Sequence, residues 1–158
     1  MDSIYKIILL ALLLSCNQPF SRVINPAAYP GMTISRLGES KYLLHHPSTM
    51  FLEEVRGKEG QLGYGLWLKD SALRFTGMSG FVEIEHGKSI GSRENDGSPI
   101  EYVNTKVLNN AILWPVAQTE TGYFTGFVKV EGLHISASAP RRTALDSMLA
   151  ILSTLERN

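Results

Sequence analysis

Cysteine is all but missing from this chain, with Cys16 the only one in 158 residues. An intrachain disulfide is thereby excluded, and so is a zinc site built from paired thiolates. An excess of charge of one sign is missing too, because 15 Lys and Arg balance 15 Asp and Glu. A nucleic-acid surface is a clustered basic patch or stripe, and the only adjacent basic pair is Arg141-Arg142, so no nucleic-acid partner is expected. Long apolar runs are missing as well. Spanning a bilayer takes about 20 apolar residues, whereas residues 7–14 supply eight before Asn17, Gln18, Ser21 and Arg22 interrupt. Motifs for phosphates or cofactors are also lacking. Gly60, Gly63 and Gly65 lead into Trp67 without the Lys-Ser/Thr and helix that a phosphate loop needs, so no cofactor is expected.

What the N-terminus does contain is an address. Lys6 and the initiator amine precede the apolar run 7–14, which Ser15 closes just before Cys16. A short cationic start, a modest apolar stretch and a small-residue end define a cleavable secretory signal. The segment Leu13-Leu14-Ser15-Cys16 resembles the lipobox of bacterial lipoproteins. That resemblance implies a signal peptide of residues 1–15, diacylation of the Cys16 sulfur, and a membrane partner reached through the acyl chains. Two or more chains hold stably where one holds marginally. In that family an aspartate after the cysteine can favour inner-membrane retention, so Asn17 points to the outer membrane of a bacterial envelope. Cleavage removes one acid, Asp2, and one base, Lys6, leaving 14 of each.

Residues 16–30 carry Pro19, Pro26 and Pro30 with little periodicity. They read as a tether, up to about 45 Å long at roughly 3.1 Å per residue. Alternatively, Phe20, Val23, Ile24 and Tyr29 lie along the domain as an extra edge segment.

Residues 31–158 suit one globular domain. The alternating runs 123–130 and 133–139 are separated by Glu131-Gly132, and a two-residue loop fixes register. Val130 should then face Leu133, Val128 Ile135, Gly126 Ala137, and Phe124 Ala139. The other face would place Lys129 beside His134, Phe127 beside Ser136, and Thr125 beside Ser138. Residues 61–69, 81–85 and 107–114 read as further strands, with shorter candidates at 32–37, 41–45 and 50–55. Leu145, Met148, Leu149, Leu152 and Leu155 make a helical stripe, and Thr143 with Asp146 resembles a capping box. The expected fold is α+β: an antiparallel sheet of about seven strands with a C-terminal helix packed on one face.

The order from Tyr42-Leu43-Leu44-His45-His46-Pro47 to Leu133-His134-Ile135-Ser136-Ala137 and the closing segment Leu149-Ala150-Ile151-Leu152-Ser153 is similar to PsbP/Mog1-like domains. That likeness implies a meandering sheet closed by a helix, and no catalytic residue. The bulky aromatic expected soon after the proline is missing unless Phe51 serves.

Candidate sites divide by chemistry. His45-His46 with Glu53 and Glu54 has metal-ligand residue types, but adjacent strand residues point to opposite faces. Metal binding is therefore not expected. Glu83 and Glu85, two apart, have a separation compatible with a glycosidase pair, although a solvated strand face alternates the same way. Gly77-Met78-Ser79-Gly80 lacks the frame of a nucleophile elbow. The Gly63, Gly65 and Trp67 face could leave a groove beside an aromatic or admit close packing. Arg141 and Arg142 precede a helix N-terminus, where cations are unfavourable, and so suit either an anionic partner or a solvated pair. The polar run 91–99 reads as a loop.

The candidate binding residues are Trp67, His134, Arg141 and Arg142, with Cys16 for lipid attachment. They fit a non-catalytic, lipid-anchored envelope domain with a protein partner or small ligand. An immunity- or inhibitor-type lipoprotein is compatible with its size and anchor. The rival is an envelope hydrolase using His134 or the Glu83/Glu85 pair.

Overall fold

The computed structural model describes residues 21–28, 30–57, 62–68, 79–84 and 99–158, without the side chains of Trp67, Leu68 and Ile84. Cys16, Glu85 and most of the 91–99 loop lie outside the described residues. The strands are β1 Ser21–Val23, β2 Met32–Arg36, β3 Tyr42–Pro47, β4 Met50–Arg56, β5 Leu62–Leu68 and β6 Ser79–Ile84. They continue with β7 Glu101–Val107, β8 Asn110–Gln118, β9 Phe124–Val130, β10 Leu133–Ala139 and, after helix α1 Arg142–Leu152, β11 Glu156–Arg157. Two sheets result, one of eight strands in the order β1-β7-β8-β9-β10-β6-β5-β4 and one of three in the order β11-β3-β2.

The α+β class holds, with the helix packed on a sheet, but the large sheet has eight strands rather than about seven. Two of the expected strands, β2 and β3, leave it for the smaller sheet, while β1 and β7 join it. The run 107–114, expected as one strand, is a turn followed by β8. Leu108 and Asn109 both adopt positive φ, 52° and 65°, so that Val107 pairs with Asn110 across a two-residue hairpin.

The β9–β10 hairpin has the expected register at all four inward pairs, from Val130–Leu133 to Phe124–Ala139. Glu131 and Gly132 supply the two positive-φ positions, 50° and 77°. Period-two alternation then puts Leu133, Ile135 and Ala137 on the face that α1 covers. Leu145, Met148, Leu149 and Leu152 bury there, with Leu149 beside Gly126 and Met148 over Gly80. Trp114 is fully buried in the same core, and its Nε1 donates to Thr105 Oγ1 at 2.9 Å.

The capping box is not formed. Arg141 is the N-cap residue, with no side-chain cap bond, and Asp146 is drawn into ion pairs instead. Strand β3, which ends at Pro47, contacts α1 from the smaller sheet.

The N-terminal segment from Ser21 is docked. Strand β1 runs parallel to β7, Ile24 N–H donates to Asn104 O at 2.8 Å, and Ala27 N–H donates to Ala150 O at 2.8 Å. The folded unit therefore includes residues before Gly31.

Candidate functional site

Strand alternation assigns the large sheet's second face residue by residue. Because Ile135 and Val82 turn inward, their neighbours His134 and Glu83 turn outward, directly opposite each other on β10 and β6. Around them, Gly63, Gly65 and Trp67 on β5 share this face with Phe51, Glu53 and Val55 on β4. On the other side come Thr125, Phe127 and Lys129 of β9, Leu113 and Pro115 of β8, Tyr102 and Asn104 of β7, and Val23 of β1. No described helix or second sheet lies over it.

The centre of this face is closed although its rim is open. Glu83 is 2% exposed and His134 5%, with the Phe127 ring edge-on to the imidazole at a centroid distance of 5.8 Å. A Cβ on Gly63 would stand 2.3 Å from the Phe81 ring. The glycine thus serves neither a groove nor a crossing backbone. It makes room for a neighbouring aromatic, which covers the bare backbone.

Among the described residues five large apolar side chains are exposed, and four of them belong to this face: Val23 at 74%, Ile100 at 54%, Leu113 at 50% and Phe51 at 40%. The fifth, Ile34, is on β2. Sequence reasoning named Val23 only in an edge segment and Phe51 only as an aromatic after Pro47, and missed the face that they share with Ile100 and Leu113. The signal for three was present, since residues 100–107 alternate strictly, with Val103, Thr105 and Val107 inward and Ile100, Tyr102, Asn104 and Lys106 outward. Leu113 and Val23 follow once β7 is recognised as their shared neighbour.

The two histidines at 45 and 46 separate as strand geometry requires. His46 is buried, 2.9 Å from Ser35 Oγ, while His45 faces the other way and meets Glu156 at 2.9 Å. His45 and His134 are in different sheets and do not converge. Among the described residues no three His, Cys, Asp or Glu side chains form a metal-sized group. Trp67 is placed by its backbone only, opposite Phe51 and Ser79.

Arg141 and Arg142 part company. Arg141 is exposed, whereas Arg142 is half-buried and pairs with Glu101 and, at 3.6 Å, with Asp146. The reading of a solvated pair is thus corrected for Arg142. Arg22 enters the same cluster from β1, forking onto Asp146 with one bond of 2.7 Å and reaching Glu101 at 3.3 Å. Two cations and two anions balance there. Burial, and next the neighbouring Arg22, lower the pKa of Arg142, while Asp146 opposes them. Its guanidinium stays charged nonetheless.

On the opposite rim of the core, burial and then Glu54 raise the Tyr64 phenol above its ordinary 10.0. Its hydroxyl has no hydrogen-bond partner among the described residues and lies against Gly38, where a Cβ would stand 2.2 Å from it.

No protein-family model, curated protein or solved structure matches this chain.

Proposed function

We propose that the chain is a lipid-anchored cell-envelope protein, held through acylated Cys16 with the outer membrane favoured, whose domain is a non-catalytic binding module. The carrying observation is the large sheet's second face, which gathers four of the five exposed large apolar side chains among the described residues. Scattered apolar residues need no explanation, but a shared face points to an interaction. The anchoring part is supported by the run 7–14 leading into Ser15 and Cys16. A protein or small-molecule ligand would use the β4–β6 end, where Phe51 is exposed and Phe81 stands next to the buried Glu83–His134 pair on β6, together with the loop 91–99. An immunity- or inhibitor-type lipoprotein acting on a toxin in the periplasm is one form compatible with this size and anchor.

Hydrolysis has less support. His134 and Glu83 are neighbours, but at 5% and 2% exposure they sit below the surface that a substrate would touch. Affinity capture from membranes by the anchored protein, followed by mass spectrometry, should return one reproducible partner that Phe51→Asp loses. Capture insensitive to that change would refute the face, and an envelope-substrate hydrolysis abolished by His134→Ala would refute the non-catalytic reading. For the anchor, Cys16→Ala should move the protein to the soluble fraction and remove an acyl mass; unchanged partitioning sinks lipidation.

A further inference from the structure

The β1–β7–β8 end of the open face has a different character from the β4–β6 end. Val23, Ile100 and Leu113 are its exposed apolar side chains, with Tyr102 and Pro115 half-buried among them. Its only described charged residue is Lys106, which is exposed. Val23, Asn104 and Leu113 stand side by side on three adjacent strands, so this patch is only about 10 Å across in the pairing direction.

The position of the anchor makes the patch informative. The described part of the chain begins at Ser21, already paired in β1 and five positions after Cys16, and five residue steps span at most about 17 Å. Val23 is two residues further along, roughly 7 Å in an extended strand. An acylated Cys16 would therefore hold this edge of the sheet beside the headgroups, and the outward face of that edge is apolar, with an aromatic and one lysine but no described acid, the acids Glu101 and Asp146 being paired with Arg22 on the other face. Tyrosine prefers that interface, and lysine is attracted to anionic lipid.

We infer that the β1–β7–β8 end of the open face is a membrane-contacting surface that lies on the bilayer and orients the domain. This rests on the lipid-anchored reading above. Adjacent strands rotate by about 20 to 25°, so over the six steps from β7 to β4 the face turns well past a right angle. The β4–β6 end consequently looks away from the bilayer and stays open to a partner.

The test uses the full-length acylated protein in vesicles of phosphatidylethanolamine and phosphatidylglycerol that contain nitroxide-labelled lipid. A fluorophore is placed at Leu113→Cys, at Ile100→Cys as a second site in case one variant misfolds, at Glu53→Cys on the far half, and at Ser147→Cys on exposed α1. Labels at 113 and 100 should lose most of their emission to the nitroxide, and labels at 53 and 147 should keep it. Acylated, vesicle-bound protein with equal quenching at all four positions, or none at 113 and 100, overturns this inference while leaving the anchor intact. A wild-type chain without an acyl mass shift overturns both. Shielding at 113 that grows with protein concentration and needs no lipid would assign the patch to a second copy of the chain and also overturn it.

Discussion

Replacing Arg22 by Ala should release the N-terminal strand without unfolding the domain. Arg22 is the only described side chain of β1 that reaches the helix, donating twice to Asp146 there and once to Glu101 on β7. Fully buried hydrogen bonds to charged groups contribute about 1.5 to 3 kcal/mol each, but exposed ion pairs contribute about 0 to 1 kcal/mol. Arg22 is 27% exposed and Asp146 25%, so screening places the whole cluster well below the sum of its bonds. After the change Arg142 still neutralises one of the two acids. The expected cost is about 2 kcal/mol, borne by local opening of β1 rather than by global unfolding.

Two amides report on that opening directly. Ile24 N–H bonds Asn104 O and Ala27 N–H bonds Ala150 O, and neither is in the central sheet ladders. At 1.4 kcal/mol per factor of ten, hydrogen exchange at these two should quicken about thirty-fold. Amides of β10, paired on both sides, should change far less. Arg22→Lys keeps the charge but loses the fork and should fall between the two. Unchanged protection at 24 and 27 would refute the reasoning, and an equal loss on β10 would show that the cluster supports the whole domain.

Three further outcomes are expected. Gly38→Ala meets both a positive φ of 54° and the Tyr64 hydroxyl, so thermal unfolding should show a loss of about 2 to 3 kcal/mol; adding Tyr64→Phe should restore part of it, and strict additivity of the two changes would argue against the contact. Tyr64 also sets an alkaline limit: because its pKa is raised on folding, stability is intact below 10.0, the unfolded value, and falls as pH climbs from there through the folded value. Denaturant titrations across that window should show the slope flattened in Tyr64→Phe. Trp114→Phe vacates space in the core and strands the Thr105 hydroxyl, costing about 2 to 4 kcal/mol, whereas Thr105→Val alone should cost about 1 kcal/mol in the same melts.

Local rules carried the parts of the fold that local chemistry controls. The β9–β10 register was legible because Glu131-Gly132 leaves no freedom in how two alternating runs align. The helical stripe was legible because Leu145, Met148, Leu149 and Leu152 repeat at the helix period and no polar residue competes for that face. Asp146 misled for the opposite reason. Three residues after Thr143 it looked like a capping partner, yet its ligand is Arg22, 124 positions away in the chain. Strand β2 was legible as a short candidate at 32–37 and β1 as an edge segment through Val23 and Ile24, but their partners were not, and β11 was opaque, since a two- to five-residue edge strand is defined by what it pairs with. The exposed apolar face needed β7, whose alternation was readable but was passed over for the more strongly apolar run beginning at Val107.

The docking of β1 also changes what anchoring would mean. A free segment of fifteen residues would let the domain range about 45 Å from the bilayer and present any face to the periplasm. With Ser21–Val23 paired to β7, an acylated Cys16 is only five positions from the described fold, and the leash is at most about 17 Å. That is less than the roughly 34 Å spanned by seven steps between eight strands. The domain could then not lift its β1 edge clear of the headgroups by more than half its own width. Orientation would follow from the attachment point rather than from chance. Arg22 shifts the balance between the two regimes, because it ties β1 to α1 through Asp146 beside the backbone bonds to β7 and Ala150. Its replacement should therefore alter not only exchange at Ile24 and Ala27 but also the nitroxide quenching at Leu113, weakening it as the leash lengthens.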